Sequence, residues 1–77
     1  MKPEELRIAC ALLGWNYTDL AKKLRVSRST VSHWANGRGK IPGLAAFAIE
    51  GILKSHGFNP KIDIETLKAN SAKENGN

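Results

Sequence analysis

Residues 17–36 read YTDLAKKLRVSRSTVSHWAN. Leu20, Ala21 and Leu24 recur at helical spacing, and so do Val31, Trp34 and Ala35. Only Arg25, Val26 and Ser27 separate the two patterns. Asn16 stands before the first with Asp19 three residues on, close to a capping box, and Ser27 caps the second. The stretch therefore predicts two short helices, over about 17–24 and 28–36, crossing at a wide angle over a sharp turn. Small Ala21 permits close approach where they meet. The second helix turns Arg28, Ser29, Ser32, His33 and Asn36 away from its apolar side. Its serine and β-branched residues are mediocre helix formers, so caps and packing must hold it.

Upstream, Pro3 suits a first helical turn, and Glu4 and Glu5 favour the positive end of the helix dipole. Leu6, Ala9, Cys10 and Leu13 form an inward stripe, and Gly14 is a natural stop, which predicts a helix over about 3–13. Trp15 and Leu20 have the spacing of a hydrophobic staple.

Downstream, Gly37 ends the second helix of the pair and residues 37–43, GRGKIPG, form a loop. Pro42 starts a further helix that runs to about His56, with Gly57 as its stop. Leu44, Ala45, Ala46, Phe47, Ala48, Ile49, Ile52 and Leu53 make that helix apolar on nearly every side, the pattern of a helix buried all round. Either its own neighbours cover it or a second subunit covers part of it. Asn59 and Pro60 mark a turn. Beyond them Asp63 suits the cap of a short fifth helix with Ile62 and Leu67 as staple, the alternative being an extended segment over 61–64. The expected organisation is one domain, residues 1–70, and a polar, frayed tail, 71–77.

The chain has 77 residues, 42% hydrophobic, with a net charge of +5. Between Leu20 and Ile49 stand Lys22, Lys23, Arg25, Arg28, Arg38 and Lys40 and no acidic residue. A field so placed favours a polyanion. The single cysteine, Cys10, excludes an internal disulfide and fits a reducing, cytoplasmic compartment; among apolar neighbours it reads as a buried, inert thiol. The N-terminus has no signal-peptide pattern, and the apolar run over 41–53 is too short to span a bilayer, which takes roughly 20 residues. Cys10, His33 and His56 lack metal-ligand spacing, and no acid–base pair, nucleophile arrangement or phosphate-cradling glycine loop is present. The expectation is a non-enzyme without metal or cofactor. A core-anchored helix with a polar, basic outer face is suited to the major groove of double-stranded DNA.

The segment LAKKLRVSRSTVSHWANG (20–37), the GRGKIPG loop and the apolar helix after it closely resemble the Cro and repressor class of phage helix-turn-helix proteins. The resemblance covers about residues 3–56. Ala21, Val26, Ser27, Val31, Trp34, Asn36 and Gly37 fall where that pattern expects them. It implies an all-α, four- to five-helix lambda-repressor-like domain with the helix-turn-helix at the second and third helices. Carried over by position, Arg28 would bond guanine O6 and N7, Ser29 and His33 would read adjacent bases, and Ser32 would lie beside them. Asn36, Arg38 and Lys40 fall at phosphate positions, as do Tyr17 and Thr18 with the free N–H groups of their helix, and Ser27 and Thr30. The resemblance further implies a small phage or bacterial repressor that binds an inverted-repeat operator as a homodimer, with half-sites about 10 base pairs apart. An antitoxin-like or adaptor module, binding a protein partner such as a toxin through the apolar helix and the C-terminal segment, is the alternative.

The chain departs from the family pattern in three places. Arg25 stands where glycine is usual, which implies a strained left-handed residue or a different turn. An arginine on the first helix commonly pairs with a glutamate near the end of the recognition helix; those positions correspond to Cys10 and Ala35, an apolar replacement of the pair. Residues after Gly57 match no pattern of the family.

Overall fold

The computed structural model describes residues 1–69, and the expected tail at 71–77 lies outside the described residues. Five helices follow in order: α1 (Pro3–Leu13), α2 (Tyr17–Leu24), α3 (Arg28–Ala35) and α4 (Gly43–Ser55), then α5, which opens as a π-helical turn (Pro60–Ile64) and continues as α-helix over 65–69. There is no strand among the described residues.

The first four helices all end the same way. The closing residue turns left-handed, its N–H bonds back three residues, and the next N–H bonds back five. Gly14 and Trp15 close α1 on Ala11 and Cys10; Gly37 and Arg38 close α3 on Trp34 and His33; Gly57 and Phe58 close α4 on Lys54 and Leu53. In α2 the left-handed residue is Arg25, at φ 60° and ψ 43°, with its N–H on Lys22 and that of Val26 on Ala21. The strained alternative thus holds for the turn between α2 and α3. A Cβ in this region costs roughly 1–2 kcal/mol, which is why glycine occupies the other three positions.

The starts of α2 and α3 follow the sequence closely. The Asn16 carboxamide oxygen accepts from the Asp19 N–H at 2.8 Å while Asp19 Oδ2 accepts from the Asn16 N–H at 3.1 Å, a complete capping box. Ser27 Oγ accepts from the Thr30 N–H at 3.1 Å. At α1, Glu5 Oε1 takes the Lys2 N–H at 2.6 Å. That bond holds the Glu5 carboxyl below its ordinary pKa; partial burial opposes the shift and the nearby Lys68 ammonium adds to it.

Leu6, Leu20, Val31, Ile49 and Leu53 are fully buried and come from all four of the first helices. Each such side chain contributes roughly 1.5–3 kcal/mol by leaving water. Ala9, Cys10, Ala21, Trp34, Ala35 and Ile64 complete the core. α2 packs chiefly on α3, and α1 lies against α3, α4 and α5. Trp15, in the turn before α2, sets its ring edge-to-face with His56 at the end of α4, centroids 5.7 Å apart.

Three sequence expectations change. α5 begins at Pro60, three residues before Asp63: Asn59 Oδ1 accepts from the Lys61 N–H at 3.1 Å, and Asp63 reaches back to the Asn59 N–H at 2.6 Å. Asp63 therefore serves the cap from inside the helix, the extended alternative for 61–64 falls, and Ile62, 62% exposed, makes no staple. Pro42 is the N-cap of α4 rather than its first residue. Finally, α4 is not buried all round. Ile49 and Leu53 are buried, but Leu44 is 86% and Phe47 76% exposed. Neighbours on one side cannot cover a helix that is apolar on both.

Candidate nucleic-acid interface

The outer side of α3 is set by what its inner side buries. Val31, Trp34 and Ala35 are in the core. With those positions inward, helical geometry leaves Arg28, Ser29 and His33 exposed, Ser29 and His33 one turn apart, with Ser32 half-buried one turn after Arg28. None of these side chains donates to or accepts from an acidic group among the described residues, so the Arg28 guanidinium is available to a ligand.

α3 is braced at both ends. At its start, Ser27 Oγ and Thr30 Oγ1 lie 2.8 Å apart, so the two hydroxyls expected at phosphate also serve each other. At its end, Asn36 Nδ2 donates to the Ser32 carbonyl at 2.9 Å, folding that amide back on the helix. A further contact comes from α1. Arg7 Nη1 donates to the carbonyl of Ala35, the last residue of α3. Sequence reading missed it, because the two residues are 28 apart and the acceptor is backbone. Cys10 and Ala35 are both buried, and the arginine that reaches α3 stands one turn earlier on α1. Favourable charge meets the negative end of the α3 dipole there.

The start of α2 is brought beside the start of α3. Asn16, Tyr17, Thr18 and Arg28 line one shallow cleft. Tyr17 and Thr18 are half-buried, and their N–H groups, in the first turn of α2, have no partner within the helix. An oxyanion in this cleft would meet those N–H groups and the Arg28 guanidinium together. Asp19, exposed and tied to the Asn16 N–H, is the one acidic group at this end of α2 and partly offsets the attraction.

A second hollow lies beside the loop after α3. Lys2, Arg38 and Lys40 line it, together with Pro3, Ile41, Pro42 and glycines of the loop. Arg38 and Lys40 are exposed, as expected of phosphate contacts. Lys2 joins them from the chain's N-terminus, a neighbour that no local pattern announces. Gly37, left-handed at φ +75°, turns the chain back there and passes beside the Pro3 ring.

Burial, and secondarily the Asp19 carboxylate, push the Cys10 thiol up, so it stays protonated and unreactive. Among the described residues no group of His, Cys, Asp and Glu is placed to hold a metal, and no helix is long and apolar enough to cross a membrane.

Residues 5–56 match the helix-turn-helix family model, about two thirds of the chain. No curated protein and no solved structure matches the chain.

Proposed function

The chain belongs to the lambda-repressor-like helix-turn-helix family of DNA-binding regulators, and on that premise we propose that it is a small repressor that occludes an operator. The observation that carries this reading is the outer face of α3: Arg28, Ser29 and His33 exposed on a helix whose other side is core. Residues 1–70 act as the binding unit, in the cytoplasm of a bacterium or of a phage-infected cell. α3 lies in the major groove, with Arg28 on guanine and Ser29, Ser32 and His33 on neighbouring base edges. Tyr17, Thr18, Ser27, Thr30, Asn36, Arg38 and Lys40 hold phosphates on either side, and Lys2 extends the second group. One protomer offers one reading helix of 8 residues. Two protomers on an inverted repeat supply the second, with half-sites about 10 base pairs apart.

A protein-binding role, antitoxin-like or as an adaptor, has one observation in its favour: Leu44, Phe47 and Ile62 are large, apolar and exposed.

Selection from a random duplex library at about 150 mM salt tests the repressor reading, since non-specific affinity is already weak there. Enrichment of an inverted repeat is the expected result. A folded protein that enriches no sequence would overturn it.

A further inference from the structure

We propose that Arg25, the left-handed residue of the turn between α2 and α3, is a further DNA contact that holds a phosphate at the edge of the groove α3 enters. The inference rests on the DNA-binding reading above and deepens it: this arginine serves binding and not the fold.

Of the four left-handed residues that close helices, only Arg25 is not glycine. Glycine there would keep both closing bonds, since main-chain groups make them, from Arg25 to Lys22 and from Val26 to Ala21. Nothing within the described chain calls for arginine instead. The residue is exposed, and its guanidinium makes no ion pair among the described residues. Positive charge at the negative end of the α2 dipole is already supplied by Lys22 and Lys23 in the last turn. A strained residue that the fold does not need is expected where a protein meets its ligand.

Placement names the ligand. Arg25 stands three residues before Arg28, so their Cα atoms are at most about 11 Å apart, at the end of α3 that leads into the groove. α2 has 8 residues and is about 12 Å long, with Tyr17 and Thr18 at its start and Arg25 just past its end. The major groove is about 12 Å wide. With the start of α2 on a phosphate at one edge, the far end of the helix lies about one groove width away, where the Arg25 guanidinium meets the phosphates of the opposite edge. The turn keeps that cation in a fixed place. Its closing bonds anchor it to α2, and the Ser27 hydroxyl, accepting from the Thr30 N–H, anchors it to α3. No acidic residue lies between Leu20 and Ile49, and Asp19 belongs to the first turn of α2, away from Arg25. A planar fork of donors so held suits a phosphate.

Fluorescence anisotropy of labelled duplex with the full chain, from about 50 to 150 mM salt, tests the proposal on wild type, Arg25→Gly, Arg25→Asn, Arg25→Lys and Lys23→Gln, with Tm read alongside. Asparagine tolerates the left-handed region without a charge, and lysine keeps the charge without the fork. Arg25→Gly and Arg25→Asn should each raise the dissociation constant about fivefold, alike on selected and random duplex, and lower the salt slope by about one. Arg25→Gly should at the same time raise Tm, so its weaker binding does not come from a weaker fold. Arg25→Lys should keep the slope, and Lys23→Gln should bind as the wild type does. Wild-type affinity and slope in Arg25→Gly and Arg25→Asn overturn the proposal. An equal loss in Lys23→Gln also overturns it, by making Arg25 part of a diffuse field, and a loss confined to one base pair does so by making it a base reader. The two readings fail separately. A wild type that enriches no sequence, with the Arg25 effect present on random duplex, removes the repressor and keeps the phosphate contact. A wild type that enriches an inverted repeat, with Arg25→Gly binding as tightly, does the reverse. A wild type that binds no duplex at about 50 mM salt overturns both.

Discussion

Arg7 on α1 donates from its guanidinium to the main-chain carbonyl of Ala35, the last residue of α3. The first helix thereby holds the far end of the helix that faces outward with Arg28, Ser29 and His33. The bond satisfies a carbonyl that has no partner within its own helix and places a positive charge at the negative end of the dipole.

Replacing Arg7 by Met keeps the aliphatic stem and removes the donor. Urea unfolding should show a loss of about 1–2 kcal/mol, the net worth of a charged hydrogen bond near the surface. Specific DNA affinity should fall as well, because the end of α3 then loses its tie to α1. Wild-type stability in Arg7→Met would mean that the contact adds nothing in solution.

Arg25 is the one non-glycine residue at positive φ among those described. Relief of its left-handed strain is worth roughly 1–2 kcal/mol, and the greater freedom of glycine in the unfolded chain returns roughly 0.5–1 kcal/mol. Arg25→Gly should therefore stabilise by about 0.5 kcal/mol, seen as a rise of a few degrees in Tm. Loss of stability would show that the arginine makes a compensating contact.

On DNA, two classes of contact separate by their selectivity. Arg28→Ala should cost about 1–3 kcal/mol on the selected operator and relax preference at one base pair. Lys40→Ala should weaken all sequences alike and lower the salt slope by about one. Equal losses on operator and random duplex for Arg28→Ala would remove Arg28 from base reading.

Glu5 gives a pH dependence with a definite sign. Its folded pKa lies below the ordinary value of 4.5, first through the Lys2 N–H bond. The group therefore stabilises the fold above its unfolded pKa, and the contribution is lost as pH falls through the lower, folded value. Glu5→Gln should cost about 1 kcal/mol at neutral pH, the usual worth of a helix cap. The gap between the two proteins should close in acid, below the ordinary carboxylate range. The Lys68 ammonium, 3.5 Å from Glu5, predicts that the gap narrows in high salt.

Cys10 offers a control on all of these. Burial raises its pKa and hides it, so a thiol reagent should label it only on unfolding. Rapid labelling of the native chain would contradict the core position.

Local chemistry made much of this protein legible from its residues alone. Asn16, Asp19 and Ser27 cap over three residues, Gly14, Gly37 and Gly57 stop helices, and apolar spacing marks an inward face. Each of these acts within one helical turn, so the four main helices and the outward side of α3 follow from neighbours in the chain. The strained turn at Arg25 was one of two readings there, and tertiary packing of α2 on α3 selected it.

Long-range contact decided the rest. Arg7 finds Ala35 across 28 residues, and Lys2 joins Arg38 and Lys40 only because Gly37 turns the chain toward Pro3. The start of α5 at Pro60 is an exception, decided locally: Asp63 reaches back four residues to the Asn59 N–H, which competes with the cap pattern expected at Asp63 itself. Above all, the apolar sequence of α4 states that much of the helix avoids water but not what covers it. The fold buries Ile49 and Leu53 and leaves Leu44 and Phe47 outside, since packing on α1 and α5 can shield one side of a helix and not both.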